Sequence, residues 1–280
     1  MSARPRLEKS TSAITSRIAR GQYRNINSHR VFVRREGDPD PDGEYVLYWM
    51  QIHRRMHYNF ALEYAVGWAN ALDKPLLILE SLRADYPWAS DRVHQFMVEG
   101  MAEHAAFAKS RRINYYPFLE DGARDGRGLV GELAERASVV VSDEYPVYII
   151  PRHNRALART IRKPFVTIDA NGVIPLGLTQ KAPYSAFLFR KTLQKNFAEA
   201  FAHAPLEDPL EALENRSRVN LPAQLQKKYP EAHQHFKDIP AFVRGLALYH
   251  SVHALDISGT RAAALKRWQG FQDQDLVYYS

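Results

Sequence analysis

The sequence of 280 residues contains no cysteine. That absence excludes a disulfide framework, a thiolate metal site and a cysteine nucleophile, and it fits a reducing compartment. No apolar run is long enough for a membrane span, and the N-terminus lacks the apolar core of a signal peptide. The protein is therefore expected in the cytoplasm, with no membrane partner. Signature motifs are also missing: the junction after the first apolar run, Tyr45–Met50, has no G-x-G-x-x-G to bring backbone against a pyrophosphate, and the chain has no G-x-x-x-x-G-K-[ST] phosphate loop and no G-x-S-x-G nucleophile elbow. Classical NAD-binding, P-loop and standard esterase readings fall with them.

What is present belongs to an ordinary globular protein: 45% hydrophobic and 25% charged residues, with 15 Tyr, 13 Phe and 4 Trp for core and stacking. A net charge of +7 and a pI near 9.5 either draw a polyanion such as DNA or keep the protein soluble. The N-terminal stretch, rich in Arg, Ser and Asn, reads as a basic arm over residues 1–40.

After the loop signal "GDPDPDG", strands and helices alternate. Tyr45–Met50 is apolar on both faces, as in a buried parallel strand. Ala61, Ala65, Trp68 and Leu72 recur at helical spacing before the next run, "PLLILE". A helix over Ser90–Arg111, a strand over Ile113–Glu120, a helix over Gly128–Ala137 and a strand over Ser138–Glu144 follow. A basic segment, helical from Asn154, leads to a fifth strand at Phe165–Ile168. Such alternation predicts an α/β fold, a doubly wound five-stranded parallel sheet with crossover helices. Beyond residue 180 only helical spacing remains.

Open parallel sheets bind ligands beyond the carboxyl ends of their strands, so the chemistry is sought there. His53 and His57 stand four apart, a metal spacing if both lie on a helix, but no acidic residue intervenes and a surface turn explains them better. Arg54 and Arg55 either hold an anionic group or face water. Asp143, closing the fourth strand, either hydrogen-bonds a ligand or caps the following turn. Tyr86 and Trp88 either cover a planar ligand or pack their own loop. The residues alone imply a ligand-binding α/β domain with its ligand open.

Taken in order, "DGEYVLYWMQ", "HYNFALEYAVGWANALDKPLLIL", "DYPWASDRVHQFMVEGM" and "FVTIDANGVIPL" resemble the N-terminal antenna-type domain of class II DNA photolyases, of the photolyase and cryptochrome superfamily. The resemblance covers roughly residues 30–200. It implies a Rossmann-like domain joined to a helical domain that holds FAD and a flipped pyrimidine dimer in damaged DNA, whose cyclobutane ring is split by an electron from photoexcited flavin. It also implies an antenna chromophore of deazaflavin type, with a pocket at Met50, Gln51, Arg54, Glu80, Asp143 and Lys181. The implied layout is an arm (1–40), an antenna domain (41–180), a helix and connection (181–225) and the start of a truncated FAD-type helical domain (226–280). Ser258–Ser280 resembles the family's first FAD-domain helix, and the flavin-cradling segment and dimer-binding tryptophans have no counterpart. The expectation is a photolyase-related carbon-carbon lyase chain that does not catalyse repair alone, with no catalytic residue assigned. It either lacks its catalytic half, works beside a second chain that supplies the helical domain, or keeps only the scaffold of a nucleotide-binding protein or photoreceptor.

Overall fold

A computed structural model describes residues 26–122, 125–178, 183–202 and 204–279. Among them, strands β1 (Val31–Arg35), β2 (Tyr45–Met50), β3 (Leu76–Leu82), β4 (Asn114–Leu119), β5 (Ala137–Glu144) and β6 (Phe165–Asp169) form one sheet in the order β1-β6-β5-β2-β3-β4. Helices α1 (Phe60–Leu72), α2 (Asp91–Arg111), α3 (Leu129–Glu135) and α4 (Ile150–Thr160) make the crossovers. Helices α5 (Ala186–Phe201), α6 (Ala223–Lys228), α7 (Ile239–Arg244) and α8 (Arg261–Gly270) follow. The α/β class is as read from the sequence, with every residue of β2 and β5 buried, as interior parallel strands require.

The structure adds a sixth strand. Val31–Arg35, read as part of the basic arm, pairs antiparallel with β6, Val31 opposite Ile168. Its arginines conceal the pattern: Arg34 reaches across to the Glu144 carboxylate, and its Nε donates to Thr167 Oγ1 at 2.9 Å. Residues 1–25 of that arm lie outside the described residues. Helix α4 begins at Ile150, ahead of the expected Asn154, because Pro151 in its first turn carries a φ suited to a helix start and has no N–H to leave unpaired.

The chain divides into two compact units, and the division passes within β3. One comprises the residues up to Leu79 together with Gly128–Val219. In this unit the loop before β2 presses against the start of β5: a Cβ on Gly43 would sit 2.3 Å from the Ser138 nitrogen, so no larger residue fits. The segment after α5 runs along α1. Leu206 N–H donates to the Glu63 carboxylate at 3.1 Å, and Asn70 Nδ2 donates to the Ala212 carbonyl at 2.7 Å.

Glu63 is 1% exposed, and burial raises its pKa above the ordinary carboxylate range. A carboxyl that holds its proton more tightly when folded favours the fold at low pH, and that contribution is lost as pH rises through the folded pKa. Glu63→Gln keeps an acceptor for Leu206 and removes the desolvated charge. It is expected to raise stability at neutral pH and to leave it unchanged at acid pH, where the carboxyl is protonated in both states. Urea unfolding at the two pH values checks this, and a loss of stability at neutral pH would contradict it.

The second unit comprises Glu80–Arg127 and Asn220–Ser280. Leu82, Val98, Met101, Leu119 and Ala232 form its core, with Met97, Phe236, Ile239 and Phe242 packed against them. Tyr229 is fully buried: its carbonyl accepts from the Tyr116 hydroxyl, and its own hydroxyl donates to the Arg127 carbonyl at 2.7 Å. Glu103 accepts the Ala262 N–H at 3.1 Å and the Arg261 N–H, placing an acidic side chain on the otherwise unpaired N–H groups that begin α8. Leu265 and Trp268 on α8 are 46% and 54% exposed, and Trp268 stacks on Phe271.

Candidate functional site

The junction after β2 is built around one carboxylate. Asp143, fully buried near the end of β5, accepts the backbone N–H groups of Gln51, Ile52 and His53 on Oδ2 at 2.9, 2.8 and 3.0 Å. Its Oδ1 accepts the Tyr48 hydroxyl at 2.8 Å. Three successive donors on one oxygen bend the chain sharply out of β2. Burial and the Asp143 charge push the Tyr48 phenol well above its ordinary range, so it stays a donor.

Asn59 completes the turn. Its side-chain oxygen caps α1 by accepting Ala61 N–H at 3.0 Å and Leu62 N–H at 3.3 Å. Its amide donates to the Tyr48 hydroxyl oxygen at 3.0 Å and to the carbonyls of His53 and Arg55 at 3.2 and 3.0 Å. A second chain of hydrogen bonds ties the same turn to α4. Gln51 Nε2 donates to Ser142 Oγ at 2.8 Å and to Asn154 Oδ1 at 2.7 Å, and Asn154 Nδ2 donates to the Asp143 carbonyl at 3.0 Å.

Two atoms in this network have no hydrogen-bond partner among the described residues: Gln51 Oε1 and His53 Nε2, on side chains 9% and 8% exposed. Desolvation lowers the His53 pKa and so favours the neutral ring, with Asp143 pulling the other way. Buried polar atoms normally carry a partner, so these two stand out in the network. Beside it, Tyr145 meets the His53 ring edge-on at 6.5 Å and stacks on Tyr148 at 6.4 Å, while Trp49 stacks on His153 at 6.1 Å.

The structure brings Met50, Gln51, Arg54 and Asp143 together at this junction. Met50 is fully buried in the sheet, and Arg54, half-buried, donates from Nε to the Gln51 carbonyl at 3.2 Å. Asp143 is committed to closing the turn. Glu80 lies in the other unit and is fully buried, its Oε2 accepting from His104 Nδ1 at 2.8 Å and from the Tyr115 hydroxyl at 2.7 Å. Lys181 lies outside the described residues. Also in the second unit, Tyr86 stacks on His94, and Trp88 stands 84% exposed. No group of three or more His, Asp or Glu side chains among the described residues could hold a metal ion. No helix among them is long and apolar enough to cross a membrane.

Sequence reasoning missed Asn59, Ser142 and Asn154 as network members. Asn59 had a readable signal, an Asn just before an apolar helical stripe. Ser142 and Asn154 had none, because their roles depend on Gln51 arriving from a distant strand.

No family model matches the chain. Among curated proteins it is 30% identical over 172 residues to the deoxyribodipyrimidine photo-lyase of Methanothermobacter thermautotrophicus, covering 61% of this chain and 38% of that protein. It is 31% identical over 184 residues to the protein of the same name from Oryza sativa subsp. japonica, covering 63% and 36%. With that of Arabidopsis thaliana the identity is 25% over 191 residues, covering 66% and 38%. The chain thus spans under two fifths of the length of these relatives. Over about its N-terminal three fifths, this chain is related to the deoxyribodipyrimidine photolyases.

Proposed function

We propose that the chain serves in the light-driven repair of cyclobutane pyrimidine dimers in DNA, as an α/β module that holds a light-absorbing cofactor of deazaflavin type at the end of β2. The observation that carries this reading is the pair of buried, unpartnered atoms Gln51 Oε1 and His53 Nε2 beside the stacked Tyr145 and Tyr148. The relationship to photolyases supports it. Gln51 would accept from a ring N–H or hydroxyl of the cofactor, and neutral His53 would donate or accept at its edge according to tautomer. Arg54 is the nearby cation. Asp143 would act through the turn it closes, since its oxygens already hold four donors. When bound, such a cofactor collects light and passes excitation energy to a flavin. Repair itself is proposed to need FAD and a helical domain of the kind the family carries, whether on the same polypeptide or on a partner chain.

Titration of the full chain with a deazaflavin, followed by absorbance and fluorescence, tests the reading. Saturable binding is expected, weakened about 10-fold or more in Gln51→Ala through loss of one buried hydrogen bond. Absence of binding by both deazaflavin and flavin would overturn it.

A further inference from the structure

Helix α4 carries a feature that the junction does not use. Its buried side holds Ile150, Asn154 and Leu157. Arg152, Arg155 and Arg159 are all exposed. At 3.6 residues per turn they lie within about 60° of one another, on the side opposite the buried one, over a length of about 10 Å. None of the three guanidinium groups has a hydrogen bond or ion pair among the described residues. The neighbouring exposed positions on this face are Ala156 and Thr160, too small to hold a partner away. No acidic residue occurs between Glu144 and Asp169. Lys163, by contrast, is engaged by Asp40, and Arg162 lies beyond the end of the helix, so the stripe on α4 itself ends at Arg159.

Like charges placed in a row lose stability to mutual repulsion, and no acidic side chain among the described residues pairs with these three. We propose that the Arg152, Arg155 and Arg159 face of α4 is a docking surface for the sugar-phosphate backbone of duplex DNA. The inference rests on the DNA-repair reading above and adds to it a contact by the α/β unit. The chemistry is that of backbone positioning without base readout. A duplex strand presents one phosphate about every 3.4 Å of axis, so the stripe spans about three steps, and arginine offers a fork suited to phosphate oxygens. Val147, Tyr148 and Ile149 are exposed just ahead of the helix, but none of the exposed positions within Ile150–Thr160 is a large apolar one, so the stripe itself has nothing to enter a lipid layer, which favours the duplex over an anionic membrane.

The test is fluorescence anisotropy of the full chain with an undamaged labelled duplex across a series of salt concentrations. The chain is compared with a variant carrying Arg152→Gln, Arg155→Gln and Arg159→Gln. Loss of three phosphate contacts is expected to weaken binding at least about 10-fold at low salt and to reduce the slope of log affinity against log salt by about 2.7. The corresponding triple lysine variant, which keeps the charge, is expected to retain most of the slope. Because the three side chains are exposed and unpaired, the glutamine variant should melt as the parent does. Equal affinity and slope for parent and glutamine variant would overturn the proposal. So would stripe-dependent binding to phosphatidylserine vesicles with duplex binding unchanged. The duplex carries no dimer and the readout needs neither light nor cofactor. A failed stripe therefore leaves the cofactor titration free to succeed, and a failed titration leaves the stripe result standing.

Discussion

Replacing Asp143 with alanine is expected to cost about 4–5 kcal/mol of stability. The substitution strips the acceptor from three consecutive backbone N–H groups, at Gln51, Ile52 and His53, and from the buried Tyr48 hydroxyl. Each buried donor left unmade costs about 1–3 kcal/mol, partly recovered if water enters the space of the lost carboxylate. The total is a large share of the roughly 5–15 kcal/mol that separates folded from unfolded domains. Asp143→Asn is expected to cost less, about 2 kcal/mol, because one amide oxygen can still serve the three N–H groups while the NH₂ turns toward the Tyr48 oxygen. Denaturant midpoints of the two variants check both values. An alanine variant within about 1 kcal/mol of the parent would show that the turn is held by something else.

Arg30→Met is expected to cost about 3–4 kcal/mol. Arg30 is 1% exposed, and burial depresses its pKa against the pull of Asp169. Its guanidinium donates to the carbonyls of Asp169, Gly172 and Val173 at 3.1, 2.8 and 2.7 Å, lies 3.8 Å from the Asp169 carboxylate, and covers the Phe60 ring at 4.3 Å. Methionine fills the volume but leaves three carbonyls without a donor. Asp169 keeps the N–H groups of Asn171 and Leu176 at 2.9 and 2.6 Å, which holds the cost below that of a bare buried charge. Arg30→Lys should recover only part of it, since one ammonium cannot span all three carbonyls. Urea unfolding measures the difference, and a methionine variant as stable as the parent would remove Arg30 from the account of the fold.

Both residues bear on what could be read in advance. Asp143 was legible as a polar residue at the carboxyl end of a buried strand, with a ligand contact and a turn cap both open. Only the arrival of the Gln51–His53 backbone beside it decides for the turn. Arg30 sat in a stretch of basic residues with nothing local to distinguish it from a solvated arm, because its partners lie in the loop after β6. Gln51 was legible as a junction residue. Its unpartnered Oε1 was not, since that depends on Ser142 and Asn154 taking its amide.

The sequence by itself determined the α/β class, because period-two and period-3.6 patterns are local consequences of where consecutive side chains point. It also determined the basic character of α4, which composition shows directly. The tertiary structure alone decided the antiparallel edge strand, the role of Asp143, the burial of Arg30 and the side of α4 on which three arginines stand free. Each of these depends on residues far apart in the chain, and the energy of a buried hydrogen bond or charge is set by the neighbours that folding brings to it.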